Sequence, residues 1–220
     1  MKDLGLEEDQ VGMITALRVN ERKKQVNVFI DGSFSFTTVG EVAATAGLEI
    51  GQHLSACQIE ELTQAGFFQR CFAAALHYLG YRPRSEAEVR QRLHRRGFSD
   101  DVVDKVIIGL KERRLIDDLA FAQYWRDNRL SFNQRSQRLI KLELRQKGVT
   151  AEIANDVVEN LNDEIAAYEA GLKKARVLAN LEYSEFHRRL SGYLRRRGFD
   201  YGTIKSVVVR LWQERQTGFV

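Results

Sequence analysis

The 220-residue sequence holds a single proline, Pro83, where average usage would place about 11. With so few breakers, long helices are the first expectation. Two cysteines, Cys57 and Cys71, are too few for a disulfide scaffold and match no metal-ligand spacing, so a reduced, cytoplasmic setting is expected. No apolar run approaches ~18 residues, which predicts no membrane contact by a spanning helix. The first residues are acidic (Asp3, Glu7, Glu8, Asp9), unlike the basic start of a signal peptide. Signatures of chemistry are also missing. His53, His77, His94 and His187 are scattered, with no His-x-x-x-His pair, no glycine-rich phosphate loop and no nucleophile elbow. The expectation is therefore a protein that is not an enzyme and uses no metal or cofactor.

What is present is an ordinary globular composition, 44% hydrophobic and 29% charged, which excludes a disordered or low-complexity chain. The net charge of +4 is unevenly spread. Residues 1–70 carry 6 Lys/Arg and 10 Asp/Glu, net −4, and the remaining 28 and 20 give residues 71–220 a net +8. The later part is thus suited to an anionic partner such as nucleic acid.

The beginning of the chain reads as a three-stranded β meander. Alternation over Ile14–Val19, Val26–Ile30 and Phe34–Phe36 marks the strands, and Asp31-Gly32 between the last two favours a type I′ turn, whose central residues need positive φ. Val39–Ala46 and Ser55–Phe68 read as helices, the second capped by Ser55. From residue 71 onward the pattern is helical and repeats three times. Leu93-His94-Arg95-Arg96-Gly97-Phe98-Ser99 matches Leu144-Arg145-Gln146-Lys147-Gly148-Val149-Thr150 and Leu194-Arg195-Arg196-Arg197-Gly198-Phe199-Asp200, with glycines 51 and 50 residues apart. Each stretch ends a helix in basic residues, turns at a C′ glycine and opens the next helix at Ser, Thr or Asp.

That next helix carries an apolar stripe in every copy: Val102 to Leu110, Ile153 to Leu161, and Thr203 to Leu211. An upstream helix precedes each copy (Phe72–Leu79, Ala120–Arg129, Ala166–Ala179), and Ser85 with Glu88 reads as a capping box. The fold class expected is mainly α: residues 1–70 a β meander with helices, then three-helix, helix-turn-helix-like repeats over 71–117, 118–164 and 165–220, forming an elongated, curved monomer.

Ala75-Leu76-His77-Tyr78-Leu79, Arg84-Ser85-Glu86-Ala87-Glu88-Val89-Arg90-Gln91-Arg92-Leu93 and Leu115-Ile116-Asp117-Asp118-Leu119-Ala120-Phe121-Ala122 resemble the RecX family of regulatory proteins. Val28-Phe29-Ile30-Asp31-Gly32 is similar to the N-terminal extension of its longer members, so the resemblance covers roughly residues 14–215. It implies a non-enzymatic regulator in DNA repair and homologous recombination. Such a protein would bind the RecA–DNA filament in its groove and dampen filament growth, ATP hydrolysis and strand exchange. The resemblance names no reaction centre. The alternative is a helix-turn-helix DNA-binding protein acting without a recombinase.

Candidate contacts to filament or DNA, single- or double-stranded, are the basic residues that recur in the middle helix of each repeat. These are Arg90, Arg92, Arg95 and Arg96 in the first, and Arg138, Lys141, Arg145 and Lys147 in the second. The third supplies Arg188, Arg189, Arg195, Arg196 and Arg197. A competing reading is structural, because cations at a helix C-terminus stabilise its dipole without any partner. Arg126 and Arg129 follow the aromatic pair Tyr124-Trp125, which reads mainly as packing, and Asp117-Asp118 reads as a helix cap.

Overall fold

A computed structural model describes residues 10–217. These fall into two compact units, residues 10–81 with 90–112 and residues 82–89 with 113–217.

The first unit begins with an antiparallel sheet. Strand β1 (Gln10–Asn20) pairs with β2 (Gln25–Ile30), and β2 pairs with β3 (Ser33–Val39). Asp31 and Gly32 have φ of 48° and 79°, and Ile30 faces Ser33 across them, the two-residue hairpin expected of Asp-Gly. The meander gains a fourth member that alternation does not reveal: β4 (His53–Ser55) pairs with the start of β1, giving the order β3-β2-β1-β4. Three residues are too few to display a period of two.

Between the outer strands, helix α1 (Gly40–Thr45) is short. The stretches 55–68 and 72–79 are a single helix, α2 (Ala56–Leu79), because nothing between Phe68 and Phe72 breaks it. Ser55 accepts from the Gln58 N–H at 3.2 Å and Gln58 Oε1 accepts from the Ser55 N–H at 2.9 Å, a complete capping box. Ile59 and Leu62 of α2 pack on the sheet core of Ile14, Val28, Phe36 and Leu54. Cys71 on the same helix is buried, and that burial pushes its thiol up to about 11. Helix α4 (Asp100–Glu112) lies against α2 and buries Val102, Val103, Val106, Ile107 and Leu110 as the stripe predicts. Helix α3 (Glu86–His94) has its opening turn in the second unit and its end in the first.

The second unit contains α5 (Asp118–Phe132), α6 (Gln137–Gln146), α7 (Ala151–Asp156), α8 (Asp163–Val177), α9 (Tyr183–Arg196) and α10 (Tyr201–Gln216). Two cores follow the repeat. Phe121, Ile140, Leu144 and Val158 fill one, and Phe186, Leu190, Leu194, Val208 and Leu211 fill the other. Helix α7 stops at Asp156 although its apolar stripe continues. Val158 and Glu159 donate three residues back, to the carbonyls of Asn155 and Asp156, so the chain tightens while Val157 and Val158 stay buried.

All three repeat glycines are left-handed, with φ of 84°, 82° and 88° at Gly97, Gly148 and Gly198. Thr150 and Asp200 then cap α7 and α10 through the N–H groups of Ile153 and Thr203. Among the described residues no helix is long and apolar enough to cross a membrane.

Candidate functional site

The recurrent glycine turn does more than end a helix. In the second and third repeats it is also the surface on which the preceding repeat's middle helix starts. A Cβ at Gly148 would stand 2.2 Å from the Ala87 Cβ, and one at Gly198 would stand 2.5 Å from Ser136 Oγ and 2.7 Å from the Leu139 Cβ. At Gly97 the same space is open. Hydrogen bonds run beside both contacts: Ser85 Oγ donates to the Lys147 carbonyl at 2.5 Å, and the Ser136 N–H to the Arg197 carbonyl at 3.0 Å.

Acidic residues fasten the same helix starts from the other side. Asp117 caps its own helix α5 by accepting from the Leu119 and Ala120 N–H groups at 2.8 and 3.1 Å. Its neighbour Asp118 accepts from the Glu86 N–H, 2.8 Å away, at the first residue of α3. One repeat later Asn162 caps α8, and Asp163 accepts from the Gln137 N–H, again at 2.8 Å, at the first residue of α6. Each pair therefore caps two helices, one in each of two consecutive repeats. Burial, with Asp200 nearby, raises the Asp163 carboxyl above its ordinary range although the Gln137 N–H opposes this.

Around this joint a dense polar cluster forms. Glu143 is buried; Trp125 Nε1 and Arg129 Nε each donate to its carboxylate at 2.7 Å, and Arg135 completes an ion pair. The Trp125 ring carries Arg129 at 4.3 Å and Lys147 at 4.2 Å, a cation–π arrangement. Lys147 Nζ also reaches Glu88 at 2.8 Å, and Arg82 meets the same carboxylate at 2.9 Å. Ser85 and Glu88 therefore form half a capping box. Ser85 Oγ accepts from the Glu88 N–H, while the Glu88 carboxylate is drawn away to two cations. Burial opposes its ionisation, but the hydrogen bonds from Arg82 and Lys147 outweigh this and hold its carboxyl below the ordinary value of 4.5. A folded-state value below the unfolded one stabilises the fold above pH 4.5 and loses that contribution as pH falls through the folded value. Glu88→Gln is thus expected to cost about 1–3 kcal/mol at pH 7, with the gap to the parent chain closing in unfolding titrations as pH falls below 4.5.

The thirteen basic candidates divide by what they touch. Lys147 belongs to the joint, and so does Arg197, which lies over the Tyr193 ring at 4.4 Å and reaches Asn133 and the Gln134 carbonyl. Arg90 pairs with Asp104, and Arg188 and Arg189 share Glu185 at 2.7 and 2.5 Å. Arg92 stands 5.6 Å from the Tyr78 ring. Arg95, Arg96, Arg138, Arg145, Arg195 and Arg196 are exposed, and Lys141 is half-buried. No ion pair joins any of these seven to a carboxylate among the described residues. Arg126 donates to the Val157 carbonyl, and Trp125 packs against Phe121, so these aromatic and basic neighbours serve packing. Periodicity alone could locate the candidates, but it could not separate these groups, because the partners of Lys147 and Arg197 lie 59 and 64 residues away.

The described residues hold no group of three or more His, Cys, Asp or Glu side chains placed for a metal ion. Sheet, repeats and joints together define a protein of tandem three-helix modules that follow, along the chain, a curled N-terminal sheet. Models of the first, second and third three-helix domains of RecX match residues 71–108, 117–158 and 163–208. "Regulatory protein RecX" of Lactobacillus gasseri is 30% identical, over 92% of this chain and 76% of its own length. Its namesake in Listeria monocytogenes is 32% identical over 74% of this chain, the match spanning 60% of that protein's length. A crystal structure of regulatory protein RecX shares the fold with a TM-score of 0.65 at 22% identity, covering 90% of this chain and 98% of its own. The chain belongs to the RecX family of regulatory proteins.

Proposed function

We propose that this protein is a non-enzymatic modulator of the RecA recombinase that docks on the RecA–DNA filament and slows its growth, ATP hydrolysis and strand exchange. The observation that carries the reading is the recurrence of exposed, unpaired arginines one to three residues before each left-handed glycine: Arg95 and Arg96, Arg145, and Arg195 and Arg196. Among the remaining candidates, Lys147 and Arg197 are engaged at the joints, and Arg90, Arg188 and Arg189 pair with a carboxylate of their own repeat. A charge left in water within three residues of the same turn in each of three repeats is available to phosphates or to acidic side chains of a polymeric partner. Family membership supports RecA as that partner and, with it, a cytoplasmic setting.

The test uses purified protein added to RecA on single-stranded DNA. The parent chain is expected to lower DNA-dependent ATP hydrolysis, and Arg195→Glu/Arg196→Glu to weaken that effect at least tenfold in the concentration required. Arg197 is left in place because it holds the third turn to Asn133. Unchanged ATP hydrolysis at saturating protein would reject the reading. Tight binding to duplex DNA with no response to RecA would favour a DNA-binding protein acting alone. Loss of helicity in the double variant would assign the two arginines to the helix dipole instead.

A further inference from the structure

A cleft of about 730 Å³ opens in the first unit, where the β1–β2 turn, the start of α1, helix α2 and Arg96 meet. Its lining contains Lys23, Lys24, Arg70 and Arg96 against the single carboxylate of Glu41, a local balance of +3 from four cations and one anion. This is not an echo of composition. Residues 1–70 are net −4, with only six Lys/Arg, yet three of those six line this one cleft. No ion pair joins Glu41 to any of the four among the described residues. Arg70 is half-buried, with its guanidinium 4.5 Å from the Phe67 ring centre and its Nε buried without a hydrogen-bond acceptor. Partly buried cations of the second unit, Arg82, Arg129 and Lys147, each meet a carboxylate. Arg70 does not, and desolvating a charge with no partner is unfavourable unless an anion is supplied from outside.

A second observation lies at the end of the cleft. His77 lines it, and the Tyr81 ring stands 5.2 Å from the His77 ring, edge to face, while Tyr81 itself is 72% exposed. An exposed aromatic beside a basic, apolar-floored groove is the combination that holds unpaired bases by stacking and their backbone by charge. A duplex keeps its bases stacked on one another and has no use for the ring. An acidic peptide would use the cations but not the aromatic pair.

We propose that this cleft is a binding site for a single-stranded nucleic acid, with Lys23, Lys24, Arg70 and Arg96 on the phosphodiester backbone and Tyr81 under a base. The site shares only Arg96 with the arginines before the repeat glycines and does not depend on the filament reading. Its test measures binding of a fluorescent 20-residue oligo-dT to the full chain without any recombinase, across a salt series. Lys23→Glu/Lys24→Glu lies on the exposed turn and is expected to weaken binding at least tenfold. It should also flatten the plot of log affinity against log salt by about 1.4, at 0.7 per lost phosphate contact. Tyr81→Ala is expected to weaken oligo-dT severalfold with the salt slope unchanged. Photo-crosslinking with 5-iodouracil DNA should label the peptide containing His77 and Tyr81. Crosslinks confined to α6 and α9, or an unaltered salt slope in the lysine variant, would overturn the proposal. Equal competition by polyglutamate, together with no effect of Tyr81→Ala, would overturn it in favour of an acidic-peptide site.

Discussion

Glu143→Ala is expected to destabilise the second unit by about 3–5 kcal/mol, the range for removing one partner of a buried ion pair. The carboxylate accepts from Trp125 and Arg129 and forms an ion pair with Arg135. Without it, two guanidinium groups repel one another across a poorly hydrated space and the indole N–H loses its acceptor. The side chains of Arg129 and Arg135 already feel this environment, since burial lowers both below the ordinary arginine value. Glu143→Gln keeps an oxygen for Trp125 and is expected to cost less than the alanine change. Urea unfolding followed by Trp125 and Trp212 fluorescence would measure both. A loss under 1 kcal/mol in the alanine variant would mean that the two arginines swing out to water and that the cluster contributes little.

The second large effect is expected at Gly148. Its φ of 82° strains any L side chain by about 1–2 kcal/mol, more for a β-branched one. A Cβ there would also overlap Ala87, adding about 1–3 kcal/mol of overpacking. Gly148→Val should therefore cost about 2–5 kcal/mol. Gly97→Ala isolates the conformational part, because nothing stands within 4 Å of a Cβ at Gly97, and should cost about 1–2 kcal/mol. The comparison is decisive through Ala87→Gly: removing the opposing methyl should recover part of the Gly148→Ala loss and none of the Gly97→Ala loss. Equal costs at the two glycines would show that the close approach carries no energy.

The features legible in the sequence are those whose causes are local. A left-handed turn needs glycine, an amphipathic helix needs a stripe, and a two-residue hairpin needs Asp-Gly. Each of these physical demands acts within a few residues, so Gly97, Gly148 and Gly198, the stripe from Val102 to Leu110 and the turn at Asp31 are all where periodicity and turn chemistry place them. What escaped reading is non-local. β4 is a strand only because β1 is there to pair with it. Glu88 turns from its own helix start because Lys147 and Arg82 compete for it. The double role of the Asp117-Asp118 pair depends on the Glu86 N–H arriving from 32 residues earlier. In the candidate site, the recurrence of basic residues was visible, whereas their division into joint-forming and exposed groups required knowing which carboxylates come near.

The borrowed carboxylates have a final implication for how the array comes apart. Helices α3 and α6 open under an aspartate lent by the following repeat. Helix α9 opens at Glu182 with no side-chain cap at all. Nearest-neighbour arrays lose structure from whichever rung is least fastened. Amide protons at the start of α9, Tyr183 and Ser184, should therefore exchange before their counterparts at Gln137 and Arg138. A carboxylate engineered to reach the α9 start would then act as a latch, slowing the fraying of the third repeat while leaving the others untouched.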